Sequence, residues 1–375
     1  MRWLQNHWHR ITPLHLILIP ISLVFRLLVA VRRDMYRNGM LSSVQLLLPV
    51  IVVGNINVGG TGKTPLTLTL ARQLVEHGWH PLIVSRGYGG TTRQPKHVND
   101  HSDAHKVGDE PLLMARRKIC PVWIGRNRAE TARAALQAHP QCDVVLCDDG
   151  LQHYRLQRDV EIAVMDGGSR FGNGLMLPAG PLREPESRLR EVDAVVVNVQ
   201  ARFPHPNPDE TTSHSTKPAS GQVAGYLPQG EGANESLREF QFDGGDAPAG
   251  QYAMRLAGDR FYNLLDPGKL AAPDHFQGRN NHAVAGIGNP QRYFQHLETL
   301  SISFTPHAFP DHHPFRAADF NFTDCDAILL TEKDAVKCTA FADARYWVLR
   351  VDAQIDPDLL ERILRKIKPH GSETA

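Results

Sequence analysis

Residues 50 to 64 read Val50-Ile51-Val52-Val53-Gly54-Asn55-Ile56-Asn57-Val58-Gly59-Gly60-Thr61-Gly62-Lys63-Thr64. A short β-branched apolar run enters a glycine-rich loop that ends in Lys-Thr. From Thr64 to His77 leucines recur at positions 66, 70 and 74, and Gly78 supplies a stop, so the segment predicts a helix. Strand, glycine loop and helix N-terminus in that order point several backbone N–H groups at one anion, and the helix dipole favours negative charge there. Asn57 through Thr64 is thus a phosphate-binding loop, with Lys63 reaching the terminal phosphates and the Thr64 hydroxyl ligating Mg²⁺. The usual first glycine is replaced by Asn57, a residue that tolerates left-handed backbone better than most.

Around this loop, apolar strands and helices alternate. Strand-like runs occur at Pro81–Val84, Pro121–Ile124, Asp143–Cys147, Ile162–Met165 and Ala194–Val197, with helical patterns over Glu110–Arg117 and Arg128–Ala138. The fold class is therefore α/β, a P-loop NTPase-like parallel sheet with ligands beyond the strands' C-terminal ends. Residues 91 to 108 are polar and read as loop. Residues 201 to 250 lose apolar periodicity and read as a linker or insertion. Order returns as a hairpin expected around Gly258-Asp259. A second, smaller α/β unit follows, with strands over His282–Ile287, Ala327–Leu330 and Arg345–Arg350 and a closing helix over Pro357–Ile367. The expected boundaries are 1–40, 41–200, 201–250 and 251–375. At about 150 residues per domain, 375 residues accommodate two.

Net charge is +1, which gives no global field directed at nucleic acid. The five cysteines form no C-x-x-C pair and suit a reducing compartment.

Residues 14 to 31 form the one strongly apolar run, and no small-residue cleavage site follows it. His15, Ser22, Arg26 and Arg33 lie seven, four and seven positions apart, within roughly 20° of one line on a helix. A narrow polar stripe beside a broad greasy face describes a helix lying in a membrane surface. Trp3, Trp8 and Tyr36 are then interface aromatics, and Arg2, Arg10, Arg32, Arg33 and Arg37 headgroup contacts. A spanning helix and a packed core helix are the alternatives.

Phosphoryl transfer needs acidic Mg²⁺ ligands and a proton acceptor. Asp148-Asp149 follow a buried strand, where a metal-binding carboxylate belongs. Asp109 opens a helix and reads, from spacing, first as an N-cap and otherwise as an acid poised over the sheet edge. Phe309-Pro310-Asp311-His312-His313 places an Asp beside a His between prolines, a catalytic, structural or metal-binding loop. Arg183 and Glu184 lie in a rigid proline-rich loop that either faces phosphate and Mg²⁺ or is an ordinary turn. Arg126 and Arg128 either hold an acidic substrate or are solvated. Thr331-Glu332-Lys333-Asp334 lacks the asparagine of a guanine-reading motif, so GTP is not inferred. That weakens one rival reading, a P-loop switch or metal-insertion NTPase.

These stretches, together with Ser85-Arg86-Gly87-Tyr88, Gly108-Asp109-Glu110-Pro111 and Asp148-Asp149-Gly150-Leu151-Gln152-His153, resemble the tetraacyldisaccharide 4'-kinase family, the lipid A 4'-kinases of Gram-negative bacteria. The match runs in one order from about residue 50 to 340. The resemblance implies transfer of the ATP γ-phosphate to a sugar hydroxyl of a four-chain lipid disaccharide 1-phosphate at the cytoplasmic face of the inner membrane. It implies Asp109 as general base assisted by Asp311 and His312, and Arg183 as an electrostatic partner of the phosphates. Thr64, Asp148, Asp149 and Glu184 become the metal shell, and Tyr88 and Arg128 substrate contacts.

Overall fold

The computed structural model describes Trp8, residues 11–199 and residues 250–367. The expectations for Arg2, Trp3, Arg10 and the 201–250 insertion lie outside the described residues. Eight α-helices and thirteen strands are named here: α1 His15–Arg37, α2 Lys63–Glu76, α3 Ala104–Val107, α4 Asp109–Arg116, α5 Arg128–Ala138, α6 Pro290–Thr299, α7 Glu332–Cys338 and α8 Pro357–Ile367. The strands are β1 Val50–Gly54, β2 Pro81–Ser85, β3 Lys96–Val98, β4 Val122–Ile124, β5 Val144–Asp148, β6 Val160–Asp166, β7 Ala194–Asn198, β8 Gln251–Asn263, β9 Leu270–Ala271, β10 Asn281–Ala285, β11 Thr305–Ala308, β12 Ala327–Thr331 and β13 Tyr346–Ile355.

All thirteen share one sheet in the order β11-β10-β12-β13-β8-β7-β6-β1-β5-β2-β4-β3, with β9 beside β8. Ladders are parallel except β3–β4, β8–β9 and β8–β13. Parallel strands are covered on both faces, which is why β1 is apolar throughout. Its Ile51 and Val53 enter the core beneath α2 and α4, and its Val50 and Val52 the core on the opposite face. Leu66, Leu70 and Leu74 of α2 are all fully buried on the first face. Burying each is worth roughly 1.5–3 kcal/mol, which fixes the helix, and hence Lys63 at its start, against the sheet.

Two local expectations are corrected. Residues 91–108 are not all loop: Lys96–Val98 forms edge strand β3, and Asp103 caps α3 by accepting from His105 N at 2.9 Å. The hairpin around Gly258-Asp259 does not form. β8 runs unbroken through both residues, antiparallel to β13, with a bulge between Arg350 and Asp352. A Cβ at Gly258 would stand 2.0 Å from the Arg350 carbonyl oxygen. The glycine permits close backbone approach at a bulge rather than a turn.

The apolar run forms α1, but its polar stripe faces inward. His15 and Ser22 are its buried residues, and Arg33 pairs with Glu191. Leu16, Ile17, Leu23, Val24, Leu27 and Leu28 are exposed. Arg26, on the same line, is exposed. Trp8 and Tyr36 turn to the protein: Trp8 Nε1 donates to the Pro178 carbonyl at 3.1 Å, and Tyr36 packs on Tyr154.

Candidate active site

The strands β1, β5, β2, β10 and β12 deliver their carboxyl ends to one region. β1 lies between β5 and β6, so the chain leaves it where successive connections diverge, the position that makes a crevice in an open α/β sheet. The phosphate loop fills that position. Its left-handed residues are Gly59 and Gly62, not Asn57. Asn57 instead pairs with Leu182 as an antiparallel bridge and donates from Nδ2 to Arg170 O at 2.7 Å. The replacement of glycine is thus explained by a side-chain bond rather than by tolerance of positive φ. Asn198 Nδ2 holds Thr61 O at 3.1 Å, and Gln152 Nε2 holds Asn55 O at 2.9 Å.

Lys63 Nζ stands 3.6 Å from Asp149 Oδ1, and Arg183 Nη1 reaches both Asp149 oxygens at 3.3 Å. Burial alone would raise the Asp149 carboxyl, but Lys63 and Arg183 outweigh it and hold the group at about 2. Its neighbour behaves oppositely. Burial, with Glu110 and Asp149 as like charges, pushes Asp148 up to about 7. Among the described residues the Asp148 carboxyl has two loose hydroxyl contacts, Thr67 and Ser85, each at 3.4 Å. A buried carboxylate with a surplus of neighbouring negative charge and oxygen donors around it suits a hard divalent cation. Among the described residues no three acidic, His or Cys groups form a metal cage.

Glu184, expected in that shell, is placed elsewhere: it is 1% exposed and faces Arg188, with Nε to Oε2 at 3.1 Å. Arg128 is also buried. Its guanidinium donates to Gly125 O and Asp148 O, both at 3.1 Å, so it braces the end of β5. Arg126 lies at the head of the same loop and is exposed.

The second half brings its own groups over the loop. A Cβ at Gly288 would lie 3.3 Å from Gly60 N. Arg292 of α6 pairs with Asp166 at the end of β6 at 2.7 Å. Asp109 is not the cap of α4. Gly108 holds that position at φ 91°, where a Cβ would collide with the Tyr88 carbonyl at 2.5 Å. The Asp109 carboxylate is therefore free to reach across the halves, and Oδ2 meets His312 Nδ1 at 3.1 Å. Lys337 Nζ approaches the same oxygen at 3.7 Å. Burial alone would raise the Asp109 carboxyl; the His312 bond and the Lys337 charge outweigh it and hold it below the usual range.

Lys333 organises the rest. Its Nζ lies 3.1 Å from Glu110 Oε1, 3.1 Å from Asp311 Oδ1 and 3.3 Å from His312 Nε2. An ammonium cannot accept, so His312 Nε2 must carry a lone pair and Nδ1 the proton that it donates to Asp109. Asp311 is farther from the imidazole, 3.8 Å from Nε2, and acts through Lys333. Tyr88 is exposed and tilts over the His312 ring at 5.2 Å. Lys333, Lys337 and Glu110 went unassigned in the sequence. The signal was there in Thr331-Glu332-Lys333-Asp334 after a strand: Thr331 caps α7 by accepting from Asp334 N, and Asp334 Oδ2 binds Gly286 N at 2.9 Å.

A phosphate loop, a carboxylate pair below it and a His-bonded carboxylate facing it define a P-loop phosphotransferase. Its relatives agree. Residues 14–368 match the family model described as tetraacyldisaccharide-1-P 4'-kinase. A tetraacyldisaccharide 4'-kinase of Methylobacillus flagellatus is 43% identical over 98% of this chain and 96% of its own length. One of Azoarcus sp. is 45% identical over 99% and 96%. A crystal structure described as the "apo" form of LpxK from Aquifex aeolicus in complex with ATP aligns with a TM-score of 0.72 and 25% identity, over 94% of this chain and 99% of that one. The chain belongs to the tetraacyldisaccharide 4'-kinase family. It is an ATP-dependent lipid kinase that phosphorylates a hydroxyl.

Proposed function

We propose that this chain transfers the ATP γ-phosphate to the 4'-hydroxyl of a tetraacyldisaccharide 1-phosphate, with Asp109 as general base. The observation that carries the base assignment is the contact of Asp109 Oδ2 with His312 Nδ1 at 3.1 Å, opposite the phosphate loop. Both neighbours of that carboxylate fall on Oδ2, which leaves Oδ1 to accept the sugar hydroxyl's proton. His312 orients the carboxylate, Lys333 fixes the imidazole tautomer and Asp311 anchors Lys333. Residues Asn57 to Thr64 cradle the triphosphate, Lys63 and Arg183 meet its charge, and Tyr88 guides the sugar. Thr64, Asp148 and Asp149 would hold Mg²⁺, which neutralises charge on the β- and γ-phosphates when bound. Arg128 serves as a brace for β5.

The outer face of α1 supports a peripheral seat on a membrane, and the side we propose is the cytoplasmic face of the bacterial inner membrane. Its apolar residues point outward while the protein body contacts it from His15 to Arg33, roughly 27 Å along the axis at 1.5 Å per residue. A helix docked along its length cannot cross a bilayer without burying that body in lipid, so it lies in the surface. The test is incubation with radiolabelled ATP and the acylated disaccharide phosphate, followed by chromatography of the lipid. Label in the lipid with the wild type and none with Asp109→Ala supports the proposal. Label at the wild-type rate with Asp109→Ala refutes the base.

A further inference from the structure

The buried polar residues of α1 are joined to the phosphate loop through one intervening loop that is hydrogen-bonded on both of its edges. His15 Nδ1 accepts from Thr12 N at 2.9 Å, so Nε2 carries the proton and donates to Ala179 O at 3.0 Å. Asn173 Nδ2 binds the same carbonyl at 2.8 Å. One helical stretch later, Ser22 Oγ donates to Met176 O at 2.8 Å. Both acceptors belong to the loop from Met176 to Glu184, whose Ala179 and Leu182 are fully enclosed.

The other side of that loop holds the nucleotide machinery. Val58 N donates to Pro181 O at 2.8 Å, and Arg183 N donates to Ile56 O at 2.6 Å. Leu182 bridges Asn57. The same loop carries the Arg183 guanidinium to Asp149, next to Lys63. One loop thus takes two side-chain bonds from α1 on one edge and fixes the first half of the phosphate loop on the other.

We propose that His15 and Ser22 are positioning residues for phosphoryl transfer: they hold the Met176–Glu184 loop in the register that sets Val58 and Arg183, so the grip on ATP depends on how α1 is seated. Neither residue touches substrate. A helix that only tethered the protein to lipid would require neither polar group to be enclosed, since buried hydroxyl and imidazole groups cost free energy unless bonded.

The test uses the full chain in detergent micelles with ATP as the varied substrate, so it does not depend on whether α1's outer face meets a bilayer. Ser22→Ala removes one hydroxyl and leaves the packing of α1 in place. The expected result for it, and for His15→Gln, is a rise in the KM for ATP of about five-fold. The thermal midpoint should stay within about 2 °C of wild type. Ser22→Thr, which keeps the hydroxyl, should recover the wild-type KM. A matching loss of affinity for a fluorescent ATP analogue without lipid supports the same conclusion. Folded Ser22→Ala and His15→Gln proteins with wild-type KM and kcat overturn it. So does a fall in kcat and thermal midpoint together with no change in ATP affinity, because that is the behaviour of a purely structural anchor.

Discussion

His312 occupies a left-handed backbone position, φ 59°, with its N–H on the Gly286 carbonyl at 3.2 Å. The strain aims one ring nitrogen at Asp109 and the other at Lys333, and it persists because Gly286 N is itself tied to Asp334. If Asp109 takes the proton, Asp109→Asn should lower kcat by about 100-fold or more while a nucleotide-binding assay reads unchanged affinity. The pH profile follows from the cations around Asp109. A carboxylate held below its usual range works as a base down to unusually low pH, and the stability from its partners is present above the unfolded pKa and lost as pH falls through the folded one. Lys337→Met should therefore move the acidic limb of kcat/KM upward, measured across about pH 4 to 8. An unmoved limb assigns it to another group.

Elements were read from the sequence better than the contacts between them. The order of β1, the phosphate loop and α2 was visible because strand and helix periods differ, and α5 and α8 were found at their observed bounds. Gly258-Asp259 misled because a glycine in a strand marks a turn or a close approach, and only the neighbouring strand decides which. The bond between Asp109 and His312 joins residues 203 positions apart, so spacing favoured the local N-cap, and the family resemblance had to overrule it. Lys333 and Glu184 show the same limit in opposite directions. One is a site residue in an unassigned motif; the other sits in a matching motif and packs against Arg188. For α1, the narrow polar stripe and broad apolar face are legible, whereas the inward turn of His15 and Ser22 is not, because periodicity does not say which face meets the protein. Replacing Leu16, Leu23 and Leu27 with Ser should cut partition into anionic phospholipid vesicles by about a thousandfold or more, since roughly 1.5–3 kcal/mol of burial is lost per residue. Flotation of the variant with vesicles at wild-type levels would count against the membrane seat.

Asp148, at the end of β5 beside the phosphate loop, is a buried carboxylate among like charges. Asp148, pushed up to about 7 by burial and by Glu110 and Asp149, favours the fold most when protonated. Its contribution is full below the unfolded carboxyl value and is lost as pH rises through about 7. The nucleotide-free protein should be less stable at pH 8 than at pH 6, and Asp148→Asn should raise the midpoint at pH 8 by about 3 °C while abolishing turnover. Thermal melts with and without substitution read both effects. A lowered midpoint for Asp148→Asn at pH 8 would show that the carboxylate is already compensated.

β8 follows the 201–250 stretch and lies parallel to β7, Val195 beside Gln251 and Asn198 beside Met254, while its other edge carries β13. A break in the polypeptide between residues 201 and 249 would cut none of the thirteen strands named above. It would leave β7 with an open row of backbone donors and acceptors, and the other piece with a finished ladder ready to cover it. Two pieces that together hold every residue, divided at one point between 201 and 249 and produced together, should accordingly find each other and regain turnover, a two-piece enzyme zipped along a single backbone seam. Copurification through a tag on one piece, with ATP-dependent labelling of lipid, is the readout, and pieces that remain apart would mean that covalent continuity is needed to close the seam.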